Sequence, residues 1–360
     1  MSDLGSYVIA AGGTGGHILP GIALADEIRA QKSGASVVFV GTSYGLETKI
    51  IPAAGYKLEL VEASGFIGKT WTQQLRSLSR LPKGFSASRA LLKRLRARAV
   101  VGVGGYVTVP VLTAARSLGI PTLIHESNAQ PGAANRFLNK FATRTAVGLA
   151  AANAHFKKPG SVTGTPVRKE FFGVPPLDPN ASTRRLLVFG GSQGSRVMNR
   201  AMARAAVLLE KSGIEVVHQT GEKDLVATRQ RYPRLPAGWT LAPFLPKLYE
   251  QMAWADLVLS RAGAMTVAEL AAAGRPSILV PFAAAAGGHQ AENARALYRA
   301  GAAAIIEEKD LTAENVAGAV SAQLSERAKL VTMGQKARGL AKPDAVKELA
   351  RLLFEVESGR

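Results

Sequence analysis

The sequence contains no cysteine, which excludes disulfide bridges and thiolate metal sites. It also lacks an Asp-x-Asp pair and any His, Asp and Glu cluster with metal-ligand spacing, so we predict neither a metal nor another cofactor. The chain opens with Met1-Ser2-Asp3 and passes directly into an apolar segment, which predicts no signal peptide. An uncharged stretch between Arg98 and Arg116 is interrupted by glycine and proline, so it fits a strand, loop and helix better than a membrane span.

Acidic residues are scarce in the first half of the chain. The whole chain carries 45 Lys and Arg against 26 Asp and Glu, a net charge of +19. No acid occurs between Glu62 and Glu126, whereas ten basic residues lie from Lys69 to Arg116. Such a patch attracts polyanions, either nucleic acid or an anionic lipid leaflet. A solvated basic face is the plainer alternative.

Apolar, β-branched segments alternate with helix-length stretches along the chain, which predicts parallel strands with helices between them. A break rich in proline, between Gly164 and Ser182, predicts a linker. Nine strands are predicted, five before this break and four after it: Tyr7–Ala10, Ser36–Val40, Lys57–Val61, Ala99–Val101, Pro121–His125, Arg185–Phe189, Glu215–His218, Asp256–Leu259 and Ser277–Val280.

Two successive series of this kind predict an α/β protein with two doubly wound, Rossmann-like domains that face one another across a cleft. At 360 residues the chain is also longer than one hydrophobic core comfortably supports. We assign residues 1–165 to the first domain, 166–342 to the second and 343–360 to a final helix. Apolar residues spaced for one buried face place that helix at about Asp344–Val356.

Three glycine clusters follow predicted strands, at Gly12–Gly16, Gly102–Gly105 and Gly190–Gly194. Glycine there permits tight turns and lets backbone N–H groups approach an anion at a helix start. One such loop is a weak signal, since a structural turn explains it equally well. Three of them at strand ends, across two domains, favour a phosphate or sugar ligand.

Two other nucleotide-binding motifs fail on single residues. A dinucleotide fingerprint that starts at Gly13 finds Ile18 at its last glycine position, and the second strand ends in Gly41-Thr42 without an acid for the ribose. A P-loop that ends at Lys69-Thr70 would need glycine where the chain has Ala63.

A further set of candidate ligand-binding residues lies in the second domain, from Arg261 to Glu269. Backbone N–H groups of Ala264 to Thr266 open a predicted helix and are suited to a diphosphate, while the Glu269 carboxylate can accept bonds from two ribose hydroxyls. An acid that complements the helix dipole is the structural alternative. Further along, Gly287–Asn293 offers amide side chains for sugar hydroxyls, although such residues also cap helices.

Six stretches of the chain resemble motifs of the peptidoglycan N-acetylglucosaminyltransferases that convert lipid I to lipid II. They occur in the same order as in that family. They are Gly12–His17, Gly104–Val107, His125–Asn128, Thr163–Arg168, Gly190–Gly194 and Arg261–Glu269. The resemblance implies the two-domain glycosyltransferase architecture called GT-B, with the final helix packed back on the first domain. It also implies UDP-N-acetylglucosamine as donor, lipid I as acceptor, and a peripheral location on the cytoplasmic face of the cell membrane, with cell-wall or division-complex proteins as candidate partners.

The same resemblance implies roles for individual residues. The diphosphate would lie on Ser192 and the Ala264–Thr266 amides, the ribose on Glu269 and the uracil near Leu245, while Gly104, Gly105 and Tyr106 would form the acceptor loop. The donor set implied as a whole is Thr14, Gly15, Gly16, Asn128, Arg168, Ser192, Leu245, Arg261, Ala264, Met265, Thr266, Val267, Ala268, Glu269 and Gln290.

One stretch departs from the family pattern. After Tyr106 the family continues through glycine-rich residues, but this chain has Val109, Val111 and Leu112. The Thr108 hydroxyl stands where the family has serine. The added bulk leaves open how this loop meets the acceptor pyrophosphate.

Attack of the muramyl 4-hydroxyl on the anomeric carbon inverts the donor linkage and needs a base. His17 is the predicted base, because imidazole works near neutral pH and this one projects from a glycine loop. Its alternative role is to bind a loop carbonyl. Glu126 and His125 follow a strand end and are the other candidates. The leaving diphosphate would be stabilised by helix termini, backbone amides and Arg261 or Arg168.

A segment of the basic patch has the spacing of an amphipathic helix. Apolar Trp71, Leu75 and Leu78 are bordered by the cations Arg76, Arg80 and Lys83, which repeat the same spacing. Such a stripe is suited to an anionic leaflet, and a core-facing helix is the alternative.

Other functions remain open from the residues alone. A GT-B enzyme with another acceptor, such as a diacylglycerol glucosyltransferase, and a UDP-sugar epimerase share most of these motifs. A basic nucleic-acid-binding protein is the alternative outside enzymes, but it lacks aromatic residues interleaved with the cations and leaves the glycine loops unexplained. We therefore predict no nucleic-acid partner.

The stripe yields a test on vesicles. We expect the chain to sediment with vesicles that contain anionic lipid and not with phosphatidylcholine alone. Replacement of Trp71, Leu75 and Leu78 by Ser should abolish that sedimentation, because each buried apolar side chain contributes about 1.5–3 kcal/mol. Undiminished sedimentation of the triple variant would mean that the stripe does not face the membrane.

Overall fold

A computed structural model describes residues 5–13, 15–62, 71–232, 234–285 and 288–359, and for residues 71–81 the backbone alone. The chain divides into two compact units. The first comprises Met1–Val167 together with Asp344–Arg360, and the second comprises Arg168–Pro343. Each unit is built on one sheet of parallel strands.

The first unit alternates strands and helices from its beginning. Its elements are β1 (Tyr7–Ala10), α1 (Gly15–Gln31), β2 (Val37–Gly41), α2 (Glu47–Ala53), β3 (Lys57–Leu60), α3 (Trp71–Arg94), β4 (Ala99–Gly102), α4 (Thr108–Ser117), β5 (Thr122–Glu126), α5 (Ala133–Leu138), β6 (Arg144–Val147) and β7 (Ser161–Val162). The strands form one sheet in the order β3-β2-β1-β4-β5-β6-β7.

The second unit repeats the scheme. Its elements are β8 (Arg185–Phe189), α6 (Arg196–Lys211), β9 (Glu215–Gln219), α7 (Leu225–Gln230), β10 (Trp239–Ala242), α8 (Leu248–Trp254), β11 (Leu257–Ser260), α9 (Ala264–Ala273), β12 (Ser277–Leu279), α10 (His289–Arg299), β13 (Ala303–Ile305), α11 (Ala313–Ser325) and α12 (Arg327–Gly339). The sheet order is β10-β9-β8-β11-β12-β13.

Helices cover both faces of the first sheet, which explains why its central strands are apolar throughout. Successive side chains of a strand point to opposite faces. Tyr7 and Ile9 of β1 therefore pack in one core with α1, while Val8 and Ala10 pack in another with Leu112 of α4. The same two-sided burial occurs in the second sheet, where all of β11 is buried.

All nine predicted strands are present, with ends that differ by at most one residue. Four strands were missed, namely β6, β7, β10 and β13. Three of these lie at a sheet edge. An edge strand has one neighbour and less buried surface, so it needs no long apolar run: β7 has two exposed residues and β13 reads Ala-Ala-Ile.

The final helix, α13 (Ala345–Glu357), is confirmed within two residues and packs on α1 and the sheet of the first unit. Its last residue, Glu357, is bound by groups from three other elements or loops. The Tyr7 hydroxyl and the Lys32 ammonium each donate to Oε2 at 2.6 Å, and the Arg98 guanidinium pairs with Oε1. These contacts fasten the end of the chain to its beginning.

None of the described helices is long and apolar enough to cross a membrane. The segment that carries the predicted membrane stripe is helical and forms the start of α3. The side chains of Trp71, Leu75, Leu78, Arg76 and Arg80 lie outside the described residues, whereas Lys83 is exposed.

The Glu357 cluster makes the stability of the first unit depend on pH. Burial alone would raise the pKa of Glu357, but the bonds from Lys32 and Tyr7 outweigh it and hold the pKa below its usual range. A carboxyl of this kind stabilises the fold above its unfolded pKa, and the stabilisation is lost as pH falls through the lower folded pKa.

We therefore expect Glu357→Gln to reduce the free energy of unfolding by about 2 kcal/mol at pH 7, the size typical of hydrogen bonds to a charged group. The difference from wild type should shrink as pH falls below about 4. Urea denaturation at pH 7 and pH 3.5 measures both values. An equal difference at the two pH values would show that the charge of Glu357 is not what stabilises the fold.

Candidate functional site

The glycine loops of the first unit meet where the strand order of its sheet reverses. β1 pairs with both β2 and β4, and ligands of such sheets bind beyond the carboxyl ends of the strands at this point. The loop after β1 touches the loop after β4. A Cβ atom on Gly105 would lie 2.5 Å from the Gly12 carbonyl oxygen, and one on Gly104 would lie 2.5 Å from the His17 ring. Glycine at both positions allows this approach.

His17 lies in the first turn of α1 and is half-buried over Gly104. Its Nδ1 is 3.1 Å from the carbonyl oxygen of Gly12. Because a carbonyl only accepts hydrogen bonds, Nδ1 carries the proton in this contact, and the neutral ring then has its lone pair on Nε2. Gly15 and Gly16 precede it as half-buried residues of the same turn, while Thr14 lies outside the described residues.

The acceptor-loop residues follow directly after β4. Gly104 and Gly105 adopt positive φ values of 116° and 87°, and Tyr106 is 39% exposed. The Thr108 hydroxyl donates to the Gly105 carbonyl at 2.7 Å. Val111 and Leu112, which depart from the family pattern, are fully buried in the core beneath the loop. Their extra bulk therefore fills the core, whereas Val109, the third residue that departs from the pattern, is half-buried.

Glu126, at the end of β5, is buried and accepts four hydrogen bonds. Its Oε1 is 2.9 Å from both nitrogens of Asn128, and its Oε2 binds the Gly132 amide at 3.1 Å and the Asn135 side chain at 2.9 Å. The carboxylate thus determines the shape of the loop from Ser127 to Gly132. These contacts favour a positioning role for Glu126 over that of a base.

His125, the other candidate base, is fully buried. Its Nε2 donates to the Gly164 carbonyl at 3.0 Å. Burial lowers the pKa of His125, although the Gly164 bond and the Glu126 charge act in the opposite direction. A neutral, buried imidazole that ties β5 to a neighbouring loop is a structural residue.

In the second unit the corresponding reversal lies between β8 and β11. The loop after β8 turns tightly, since Cβ atoms on Gly190 and Gly194 would overlap the backbone of Ser195 and Thr220. Ser192 is exposed at its tip. The loop after β11 leads into α9, whose N-cap is Gly263 without a side-chain cap. The first amides of α9, from Ala264 to Thr266, have no acceptor within their own helix and suit an anion.

Glu269 lies in the second turn of α9, beyond Met265, Val267 and Ala268, and is 9% exposed. Burial raises its pKa to about 7, although the charge of Arg168 lowers it. Arg168 donates to the Pro246 carbonyl at 3.3 Å, next to Leu245, and lies over the Phe171 and Tyr249 rings. The structure therefore brings three predicted donor residues together: Arg168, Leu245 and Glu269.

Arg261 is buried and engaged by the protein itself. Its Nη1 donates to the carbonyls of Val280 and Pro281 at 3.2 and 3.3 Å, and its Nη2 pairs with Glu308. The predicted direct contact with the leaving diphosphate is not favoured by this geometry. Gln290, on α10, accepts from the Phe282 amide at 2.9 Å, so it holds the same loop.

Two residues escaped the sequence-based prediction. Glu47, at the start of α2, is fully buried and accepts bonds from Gly13 and Thr42. The feature of the sequence that could have identified Glu47 is that an acidic residue follows the glycines at positions 41 and 45. Phe244, next to Leu245, is a large apolar side chain that is 50% exposed. The sequence shows an aromatic residue beside the predicted base-binding backbone, but its exposure is seen only in the structure.

Two family models match the chain, the glycosyltransferase family 28 N-terminal domain over residues 7–147 and its C-terminal domain over residues 185–349. The chain is 40% identical to the UDP-N-acetylglucosamine–N-acetylmuramyl-(pentapeptide) pyrophosphoryl-undecaprenol N-acetylglucosamine transferase of Syntrophotalea carbinolica, over 97% of this chain and 98% of that one. It is 42% identical to the Myxococcus xanthus protein of the same name, over 97% and 92%.

Solved structures give the same picture. The crystal structure of Acinetobacter baumannii MurG is 30% identical, with a TM-score of 0.80 over 98% of this chain and 99% of that one. The calicheamicin glycosyltransferase CalG4 is 18% identical, with a TM-score of 0.70 over 100% and 99%. At 18% identity, the similarity to CalG4 is evidence for the fold alone.

The burial of Glu269 predicts a stability gain when its charge is removed. In the folded chain this carboxyl keeps its proton up to about pH 7, against 4.5 ordinarily. The fold therefore loses stability as pH rises from about 4.5 to 7. Glu269→Gln should be more stable than wild type at pH 8, by on the order of 2–3 kcal/mol, and equally stable at pH 4.5. Urea denaturation at both pH values measures this difference in stability.

The exposed Glu314 serves as control, since Glu314→Gln should show no such gain. A Glu269→Gln protein without the gain at pH 8 would contradict the burial argument.

Proposed function

The chain belongs to glycosyltransferase family 28, and from that premise we propose that it transfers N-acetylglucosamine from UDP-N-acetylglucosamine to the muramyl 4-hydroxyl of lipid I, forming lipid II for the cell wall. The predicted fold, two Rossmann-like domains of the GT-B class, is confirmed. The observation that carries the function is similarity over nearly the full length to relatives that bear this enzyme's name.

We assign the donor to the second unit. The amides of Ala264 to Thr266 and the Ser192 loop would bind the diphosphate, because helix N-termini favour anions. Glu269 would accept bonds from the two ribose hydroxyls, which offer a buried carboxylate the donors that it needs. The backbone at Leu245 would bind the uracil edge, and the exposed ring of Phe244 gives the base a surface for stacking.

We assign the acceptor to the first unit, and the base to His17. With Nδ1 bound to the Gly12 carbonyl, Nε2 has the lone pair that receives the proton of the muramyl hydroxyl. The hydroxyl oxygen forms the bond to the anomeric carbon as the bond to the UDP oxygen breaks, with inversion. The positive charge that develops on the sugar ring in this transition state is stabilised by the negative charge that builds up on the departing UDP, and it disappears as the muramyl oxygen bonds to the anomeric carbon.

The remaining site residues support these two tasks. The α9 amides would stabilise the departing diphosphate, and Arg168 is the arginine that we assign to assist them, because Arg261 is engaged by Glu308 and two carbonyls. Glu126 would hold Asn128 toward the sugar by ordering its loop. Gly104, Gly105 and Tyr106 would line the acceptor side.

We place the protein peripherally on the cytoplasmic face of the cell membrane. The acceptor carries a polyprenyl chain, so the enzyme must work at a lipid surface. The density of cations from Lys69 to Arg116 supports attraction to an anionic leaflet. Cell-wall or division-complex proteins are the candidate protein partners.

The test is transfer from radiolabelled UDP-N-acetylglucosamine to a lipid-linked muramyl-pentapeptide. We expect a lipid-linked disaccharide, and no transfer to diacylglycerol and no epimerised nucleotide sugar. His17→Ala should lower kcat by about 10²–10⁴-fold, the usual contribution of a general base, and leave the Kd for UDP unchanged in calorimetry. A product on diacylglycerol alone would overturn the acceptor, and wild-type turnover by His17→Ala would overturn the base.

A further inference from the structure

Glu47 is a buried carboxylate with no part in the function proposed above. It begins α2, is fully buried, and accepts three hydrogen bonds from two loops. Oε2 accepts from the Gly13 amide at 3.0 Å. Oε1 accepts from the Thr42 amide at 3.0 Å and from the Thr42 hydroxyl at 2.6 Å. The carboxylate thus joins the loop after β1 to the loop after β2.

Three glycines make room for this side chain. A Cβ atom on Gly12 would lie 3.2 Å from Oε1, one on Gly41 would lie 2.7 Å from the Cγ of Glu47, and one on Gly45 would overlap the carboxylate. Gly12, Gly41 and Gly45 thus all lie against the Glu47 side chain. Part of the glycine pattern therefore accommodates a carboxylate of the protein and not a ligand, and the Gly13 amide is already bound.

The bond from Gly13 has a second consequence, because its N–H and the Gly12 carbonyl belong to one peptide group. Glu47 holds the N–H end of that peptide, and His17 Nδ1 binds its carbonyl end at 3.1 Å. The Leu46 amide also donates to the Gly13 carbonyl at 3.4 Å, which further restrains the loop. The carboxylate and the imidazole therefore act on opposite ends of a single planar unit.

We propose that Glu47 is a positioning residue that fixes the His17 tautomer through the Gly12–Gly13 peptide, so that the free lone pair is on Nε2. This rests on the proposed role of His17 as base. A carboxylate that accepts from the N–H makes the carbonyl of the same peptide a stronger acceptor, since hydrogen bonds in a chain reinforce one another. The carbonyl then keeps the proton of the imidazole on Nδ1.

Glu47 is suited to this role because it stays ionised. Burial alone would raise its pKa, but the bonds from Thr42, from its own amide and from Gly13 outweigh it and lower the pKa. The arrangement resembles the carboxylate that orients a catalytic histidine in hydrolases, with a peptide group inserted between the two side chains.

The first measurement needs no substrate and no variant. Nitrogen-15 chemical shifts of the His17 ring in the free protein, assigned by their absence in His17→Ala, distinguish an Nδ1–H from an Nε2–H imidazole. We expect Nδ1–H for the neutral ring. An Nε2–H ring in the wild-type protein would overturn the proposal whatever the chain's activity, so this outcome is distinct from failure of the proposed function.

The second measurement uses Glu47→Gln, which keeps the shape of the side chain. The amide and the hydroxyl of Thr42 are both donors, so the oxygen of the new side-chain amide will stay with them. Its NH₂ group then faces the Gly13 N–H, and the hydrogen bond from Gly13 is lost. We expect mixed His17 tautomers and a kcat lowered on the order of tenfold to a hundredfold, a part of the 10²–10⁴ that a base contributes. The KM for UDP-N-acetylglucosamine should not change, because the contacts proposed for its diphosphate, ribose and uracil lie on the second unit.

Two controls separate positioning from a loss of fold. Thr42→Val removes one bond to the other carboxylate oxygen and leaves the bond to Gly13, so its melting temperature should fall while the His17 tautomer stays Nδ1–H. In a His17→Ala background, Glu47→Gln should lower kcat no further, since both changes act through one group. A Glu47→Gln protein that melts lower but keeps the Nδ1–H ring, or additive losses of kcat, would overturn the proposal.

Discussion

Buried carboxylates hold the loops of the first unit in shape, and the predicted site depends on them. Backbone N–H groups beyond the ends of parallel strands have no partner in the sheet, and unpaired buried amides are costly. Glu47 accepts them after β1 and β2, and Glu126 accepts them after β5. Both side chains lie below the loops that they order. The loop geometry around His17 and Asn128 is therefore a property of the folded chain and does not wait for a ligand.

In the second unit, by contrast, the polar groups of the predicted site have unfavourable surroundings within the protein itself. Burial of Glu269 outweighs the attraction of Arg168, and α9 begins at a glycine without a side-chain cap. Both features are unfavourable by themselves, and both become favourable when hydroxyl groups and an anion are supplied. The carboxylates Glu47 and Glu126 of the first unit are thus hydrogen-bonded by loop amides of the protein, whereas Glu269 and the first amides of α9 are suited to groups of a ligand. That division agrees with the assignment of a nucleotide sugar to the second unit.

The prediction from sequence was accurate for periodic features and weaker for individual contacts. The strands at the centre of each sheet were found because they are buried on both faces, while the edge strands β7 and β13 lacked that signal. Arg261 was predicted to face a diphosphate, yet its guanidinium binds Glu308 and two carbonyls. Of the three residues that depart from the family pattern, Val111 and Leu112 are buried in the core and Val109 is half-buried. Glu47 was missed, because nothing near it in the chain shows that Gly13 lies beside it.

The two α/β series, the positions of the glycine loops at strand ends and the family can be read from the amino-acid sequence, because they follow from local periodicity and from short motifs in order. The partner atom of each polar group depends on the folded chain. Gly13 and Glu47 are 34 residues apart, and Arg261 and Glu308 are further apart still. Such partners are brought together by the order of strands in the sheet, which local periodicity does not encode. The bond from the Gly13 amide to Glu47 is a contact of this kind, and it lies on the same peptide group that binds the His17 ring.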